Sequence, residues 1–480
     1  MGGKDFSQGL QFLMLDYCNE YGQTVFWLKS RPVVSVTSIE DARTVLNQSH
    51  SRKPMPMAKL HFQEFLGPQN ILLLNGKQWK FHRNSIVRAL RPKCVDDARP
   101  GIQTVMKTCL SSLQKRITDN HPLIDIGALM KMITMDVFGQ TAFHMDLACC
   151  RQLKPSPLAV AFDYMGEEMT RRMFRPSSIA DFWYWIPTAA NLRYQRERST
   201  LRDFLRSLIQ DRRNASQQLD RPQDLLDSVL QALFQEEHEE NRESSGELNE
   251  STISDILVSL LFAGYDTTSI TLTYALYYIA THPEVEKKCK QEIESSGNDD
   301  INPDGLLYCK AVIQETLRLY PPAPFTTRTL EQSLTLRGGT LIPAETMVWI
   351  PIWLIQRMEE NFDRPLEFLP ERWVQESPTS SNASNSNGIW EERDYVPGNV
   401  STSDCGVGPA NRKAFFAFSA GARSCAGMQF AMTEAVMVLA YLVKHFSFTI
   451  SPDYELYPIR AGLIQRPRDP MMMTICKRDE

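Results

Sequence analysis

The chain has no run of about 20 apolar residues anywhere in its length, so no segment reads as a transmembrane helix. Met1-Gly2-Gly3-Lys4 is followed by neither the apolar stretch of a signal peptide nor the Ser or Thr at position 6 that myristoylation expects. The expectation is a soluble cytoplasmic or organellar chain, or one from which an anchor has been lost. Basic excess is also missing: 52 Lys and Arg stand against 57 Asp and Glu, a net charge of −5, which excludes a general nucleic-acid binder. The ten cysteines include no CxxC pair and no Cys/His spacing of zinc type. Scattered over 480 residues, they do not form a disulfide framework either. No GxGxxG is present, so the chain carries no nucleotide fingerprint of its own.

What is present is mostly helical pattern. "TVFWLKSRPVVSVTS" (24–38) reads as two β-rich runs turning at Arg31-Pro32, and "SIEDARTVL" follows as a helix capped by Ser38. From about 100 to 235 the periodicity is helical, with an aromatic-rich break at 181–192. Two stretches read as flexible loops. Residues 235–250 hold seven Glu in sixteen positions, and 376–388, within a loop taken as about 376–410, has eight Ser or Asn in thirteen. Neither separates regions of different composition, so one domain over 1–480 is expected. Between them runs the longest helical pattern, 251–283, with a Thr252/Asp255 capping signal and a stop at His282-Pro283. At ~1.5 Å per residue, its roughly 29 helical residues span ~43 Å, and an apolar helix that long must be buried.

Yet its centre reads "AGYDTT" (263–268). Ala263 and Gly264 remove bulk, so a flat ligand could approach the backbone. Thr267 can bond the carbonyl four residues back and bend the helix, and Asp266 places an acid beside that hydroxyl. The pattern suits either a kink with a polar patch or a site that holds a small ligand and relays protons.

Glu315 and Arg318 share a helix face in "QETLRLYPP", and apolar neighbours leave that face little solvent. A buried pair needs further partners, and Arg372 in "FLPERW" can supply one. Residues 75–93 carry Lys77, Lys80, Arg83, Arg88, Arg91 and Lys93, with no acid from 65 to 95. Trp79 and Arg83, one turn apart, could meet a buried anion; otherwise the run is a solvated basic face. The last motif is "FFAFSAGARSCAG" (415–427), which puts Cys425 just before a helical pattern. A thiolate is favoured there by the helix dipole. Gly421 and Gly427 permit close approach, Phe418 can shield the sulfur, and Arg423 can pair with an acid group. Five such fixed residues recur by chance on the order of once in ten thousand chains of this length. Together they describe a thiolate metal ligand beneath a planar, carboxylate-bearing cofactor.

On these motifs the chain resembles the cytochromes P-450, the haem-thiolate monooxygenases, over nearly all its length and in eukaryotic microsomal style. Phe418-x-x-Gly421-x-Arg423-x-Cys425-x-Gly427 matches the haem-ligand loop, and 263–268 matches the oxygen-activating helix. Glu315-x-x-Arg318 with 370–373 matches the structural triad, Trp79-x-x-x-Arg83 a helix that holds haem propionates, and Arg328 a further propionate ligand. The resemblance implies a mainly α fold, a helical triangular prism with a small β-rich lobe. Haem b would lie between the long helix and the Cys425 loop.

Cys425 would be the axial ligand, and Asp266 and Thr267 would deliver protons to dioxygen. The substrate pocket would draw on Leu261, Phe262, Pro324, Phe325, Thr326, Leu463 and Ile464, apolar walls suited to a lipophilic small molecule. Electrons would come from an NADPH-dependent reductase or a ferredoxin-type donor docked on the basic island. A monomer is expected, on the cytoplasmic face of the endoplasmic reticulum if an anchor was lost. The alternative is a haem-thiolate isomerase or dehydratase that rearranges a peroxide without external electrons; the acid–alcohol pair favours the monooxygenase.

Overall fold

The computed structural model describes residues 25–28, 31–54, 56–173, 186–216, 226–227, 229–231, 250–297, 300–374, 408–461 and 464–478. The acidic loop up to residue 249, the Ser/Asn-rich stretch and Leu463 lie outside them.

Among the described residues, strands gather in four small sheets. In chain order they are β1 (Val25–Leu28), β2 (Arg31–Ser35), β3 (Leu123–Asp125), β4 (Thr326–Thr329), β5 (Leu334–Thr335), β6 (Leu341–Ile342), β7 (Met347–Ile350), β8 (Phe446–Ile450), β9 (Pro458–Ala461), β10 (Ile464–Pro467) and β11 (Met472–Lys477). The largest sheet runs β1-β2-β7-β4, with β2 parallel to β7 and the other pairs antiparallel. Arg31 and Pro32 are not the turn the sequence suggested, because Leu28 pairs with Arg31 and Trp27 with Pro32. Pro32 is therefore a strand residue. Its missing N–H costs nothing towards β7, where pairing begins only at Val33.

Helices make up the rest. Ser38 caps Ile39–Gln48 as expected, its hydroxyl accepting from the Asp41 N–H at 3.4 Å. Past the aromatic-rich break, the helix Ala189–Ser216 begins within the stretch read as irregular. The long helix is continuous from Glu250 to Thr281, 32 residues, or ~48 Å at helical rise. It is long and apolar enough to cross a membrane, yet 72% of its most apolar window is buried in the protein core. Thr252 and Asp255 do not cap it. Both lie inside the helix, where the Asp255 carboxylate binds Arg202 at 2.6 Å and the Gln69 N–H at 2.9 Å. His282 ends the helix, and Pro283 opens the next one, Pro283–Ser295, at a position that needs no N–H.

At Phe262–Asp266 the long helix widens into a π-helical turn. The sequence explains the place: Gly264 weakens the helix, and the Thr267 hydroxyl donates to the Ala263 carbonyl, competing with the backbone ladder. The largest apolar cluster runs from Phe62 to Ile475 and packs this helix against Ile126–Phe143, Leu307–Leu319 and Met428–His445. A second cluster ties Ile39–Gln48 to β7 and to Phe416. The Cys425 loop therefore sits where the two clusters meet.

Candidate active site

A cavity of about 860 Å³ opens between the long helix and the Cys425 loop. Ala263, Gly264 and Thr267 line one side, and Phe418, Cys425 and Gly427 the other. The loop is fixed by its own backbone: the Cys425 N–H donates to the Phe418 carbonyl at 2.9 Å and the Ser424 N–H to Gly421 at 3.0 Å. Cys425 is open to the cavity. Burial pushes its thiol above the ordinary value, while the Gly427 N–H and the Arg83 charge pull it down. Open to the cavity, this sulfur could ligate a metal on losing its proton.

Gly421 does not make room for a flat ligand. Its φ is +69°, and a Cβ there would stand 2.2 Å from the Leu46 carbonyl oxygen. It is glycine so that the loop can press against the helix Ile39–Gln48. Gly427 does face the cavity, and a Cβ on Gly264 would meet only Phe138 at 3.7 Å.

At one end of the cavity four arginines converge. Arg52, Arg83 and Arg423 line it with Trp79, and Arg328 is fully buried beside them. Burial first, then repulsion from Arg52 and Arg423, push Arg328 down to about 8. Burial with Arg52 and Arg83 takes Arg423 to about 9, and burial with Arg83 takes Arg52 to about 10. Among the described residues none of the four forms an ion pair with a carboxylate, and Arg328 Nε and Nη2 have no hydrogen-bond partner. Buried cations without counter-charge are costly. The cluster fits a cofactor that brings two carboxylates.

Within it Arg423 is largely committed to the protein. Its guanidinium donates to His50, Ile71 and Leu74 carbonyls and to Asn75 Oδ1, and lies 4.1 Å over the Trp79 ring. It clamps the Cys425 loop to the segment before the basic helix, Gly76–Ala89, and adds charge to the cradle. Arg52 was not singled out by the sequence. It lies in Ser51-Arg52-Lys53-Pro54, which has no periodicity to mark it.

The acid and the alcohol part company. Thr267 lines the large cavity, whereas Asp266 lines a smaller one of about 30 Å³ with Lys131, Asp163, Glu167 and Arg466. Lys131 Nζ is 3.8 Å from Asp266 and 2.7 Å from Asp163, which also accepts from the Tyr265 hydroxyl at 3.2 Å. Burial raises the Asp266 pKa, Lys131 opposes that rise, and Asp163 adds to it. Successive residues of a helix point roughly 100° apart, so adjacency in sequence is not adjacency of side chains here.

Of the expected pocket residues, Phe262, Phe325, Thr326 and Ile464 line the large cavity. Leu261 does not: 1% exposed, it lies a helical step away from Leu260 and Phe262 and packs into the core. Pro324 does not either, although its neighbours Ala323 and Phe325 take the wall. Phe62, Ile71, Leu72 and Leu73 complete the wall, and no motif in the sequence marked them.

Behind the loop, Glu315 gathers its partners. Arg318 donates to both carboxylate oxygens at 2.8 Å, Arg372 Nε at 3.0 Å, Trp373 Nε1 at 2.7 Å and the Leu369 N–H at 3.0 Å. Glu315, Arg318 and Arg372 are all at most 1% exposed. This is a buried and fully partnered triad, with an indole as its fourth member.

The family model described as Cytochrome P450 matches residues 3–474. The chain is 31% identical to pentalenene oxygenase of Streptomyces avermitilis over 314 residues, 64% of this chain and 60% of that protein. It is 26% identical to 11-oxo-beta-amyrin 30-oxidase of Glycyrrhiza uralensis and to cytokinin hydroxylase of Arabidopsis thaliana, each across 93% of this chain and 79% of the relative. Its fold matches the crystal structure of a cytochrome P450 (CYP102L1) with a TM-score of 0.78 over 99% of both chains, at 19% identity.

Proposed function

The chain belongs to the cytochrome P450 family, a family of haem b monooxygenases, and we propose that it inserts one atom of dioxygen into a lipophilic small molecule by hydroxylation or epoxidation, using electrons from a separate reductase. The observation that carries this reading is a single cavity lined by both Cys425 and Thr267, with Arg52, Arg83 and Arg423 in its wall and Arg328 buried beside them. Haem bound there supplies the oxygen activation and the electron transfer to oxygen, which no side chain can perform.

The residues present do the rest. Cys425 would supply the sulfur that binds the haem iron, and Arg52, Arg83 and Arg328, with Trp79, would hold the two propionates. Ala263 and Gly264 would leave room along the long helix for a small ligand. The Thr267 hydroxyl, now donating to the Ala263 carbonyl, can turn to give a hydrogen bond into the cavity. Asp266, with its raised pKa, holds a proton on the side of the smaller cavity beside Lys131 and Asp163, while Thr267 is the hydroxyl on the side of the large one. Phe62, Leu72, Phe262, Phe325 and Ile464 exclude water and select an apolar substrate, with Ser259 and Thr326 as polar anchors. The electron donor is an NADPH-dependent reductase with an acidic face, docking on the exposed Lys77, Lys80, Arg88 and Lys93.

The test is spectroscopic. Reduced protein under carbon monoxide should show the strongly red-shifted Soret band of thiolate ligation, and Cys425→Ser should abolish it. A band that survives Cys425→Ser and vanishes on substitution of another cysteine refutes the assignment.

A further inference from the structure

Among the described residues no hydrogen bond runs directly between the triad and the Cys425 loop, although Trp373 packs edge-on against Phe415 at 4.9 Å; the Gln356 side chain bonds to both sides. Gln356 is fully buried, just after the short helix Ile352–Ile355. Its Nε2 donates to two carbonyls at the end of the helix Leu307–Leu319, Leu317 at 3.1 Å and Arg318 at 2.9 Å. Its Oε1 accepts from the Phe416 N–H at 2.7 Å. Its own carbonyl accepts from Arg318 Nη1 at 2.8 Å.

The last four carbonyls of a helix have no partner within it. Here Thr316 is satisfied by the Tyr320 N–H, Leu317 and Arg318 by Gln356, and Leu319 by the Arg357 guanidinium. The helix that carries the triad is therefore capped by a segment nearly forty residues away, and the capping side chain reaches on to the Cys425 loop. Beyond Phe416 the path is short. The Ser419 N–H returns to the Phe416 carbonyl at 2.7 Å, and the Phe418 carbonyl receives the Cys425 N–H at 2.9 Å.

We propose that Gln356 is a positioning residue for the Cys425 thiolate: its amide spans the triad helix and the Phe416 N–H and so fixes the height of the sulfur against the cavity. A glutamine suits the task because it donates at one end and accepts at the other, both in a rigid plane. Neither an isosteric apolar side chain nor a carboxylate can do both. The proposal rests on the reading of Cys425 as the thiolate ligand and adds a second requirement to it.

The experiment compares full-length Gln356→Met, Gln356→Glu and Gln356→His with wild type. Haem bound per chain is measured first. The red-shifted carbon monoxide band is then expressed per bound haem, with the reduction potential measured on the same samples. Methionine keeps the volume and loses all three side-chain hydrogen bonds; glutamate accepts from Phe416 but faces two carbonyls; histidine can donate and accept at once. The expectation is that Q356M and Q356E lose most of the band per bound haem and shift in potential, while Q356H recovers the band.

A merely structural role would lower haem content in all variants and leave the band per bound haem unchanged, which overturns the proposal. If Q356M does not accumulate as folded protein, Q356H and Q356E decide: equal bands per bound haem in those two also overturn it. Wild-type protein without the red-shifted band would instead sink the thiolate reading itself, so the two failures are distinguishable.

Discussion

Replacing Glu315 with alanine takes one carboxylate out of a site where it receives five donors. Two guanidinium groups, each at most 1% exposed, lose their only anionic partner there. Breaking a buried ion pair costs roughly 3–5 kcal/mol. The Trp373 indole and the Leu369 amide are stranded as well, at roughly 1–3 kcal/mol for each buried donor left unmade. The sum is softened because Arg318 keeps the Gln356, Pro365 and Glu367 carbonyls and Arg372 keeps those of Asp363 and Arg364. The lower end, about 5 kcal/mol, is therefore the working figure, against a total stability of roughly 5–15 kcal/mol for a folded domain. Glu315→Ala should yield little haem-bound protein and a urea midpoint far below wild type. Glu315→Gln, which keeps one acceptor oxygen, should fall between. Full haem content with an unchanged midpoint in Glu315→Ala would mean that the five bonds carry no net stability, and the triad would not anchor the loop.

Much of this was legible in the sequence, and what was not has a common cause. The Cys425 loop, the Glu315–Arg318 pair and the Arg372 partner are short patterns whose spacing fixes their geometry, so they could be read without knowing the fold. The Ser38 cap and the back-bond of Thr267 to Ala263 are local for the same reason. Long-range geometry was not legible. Gly421 is needed because of Leu46, some 375 residues earlier, and nothing near Gly421 announces that contact. Asp255 resembles a cap in sequence, yet answers to Arg202 and the Gln69 amide. Asp266 and Thr267 read as a pair, yet neighbours on a helix point apart and the two line different cavities. Arg52 and Gln356 carry no signal of their own. Their roles exist only because distant segments meet at the cavity and at the triad helix.

Three further outcomes are expected. Thr267→Ala should keep haem content and substrate affinity while diverting electrons to peroxide or water; unchanged product per electron consumed would remove Thr267 from proton delivery. His82, 4% exposed on the basic helix, is pushed by burial down to about 4. Between pH 6.5 and 4 the unfolded chain thus binds a proton that the folded one refuses, so stability should fall as pH drops, by about 3 kcal/mol in all. Urea midpoints across that range should flatten in His82→Gln, and an identical acid slope would assign the loss to other groups. The last outcome concerns the exposed cations Lys77, Lys80, Arg88 and Lys93. Reversing their charge should slow reductase-driven turnover through weaker encounter, because surface charges act over a screening length of about 8 Å at physiological salt. Turnover driven by peroxide needs no docked partner and should be spared. Raising the salt should bring wild type down towards the variants, since screening removes the same attraction from both. Arg83 is left out of the set because it faces the cavity beside Cys425, where its loss would act on the cofactor directly. Equal losses under reductase and peroxide would show that the basic helix supports the fold or the haem, and the docking surface would then lie elsewhere.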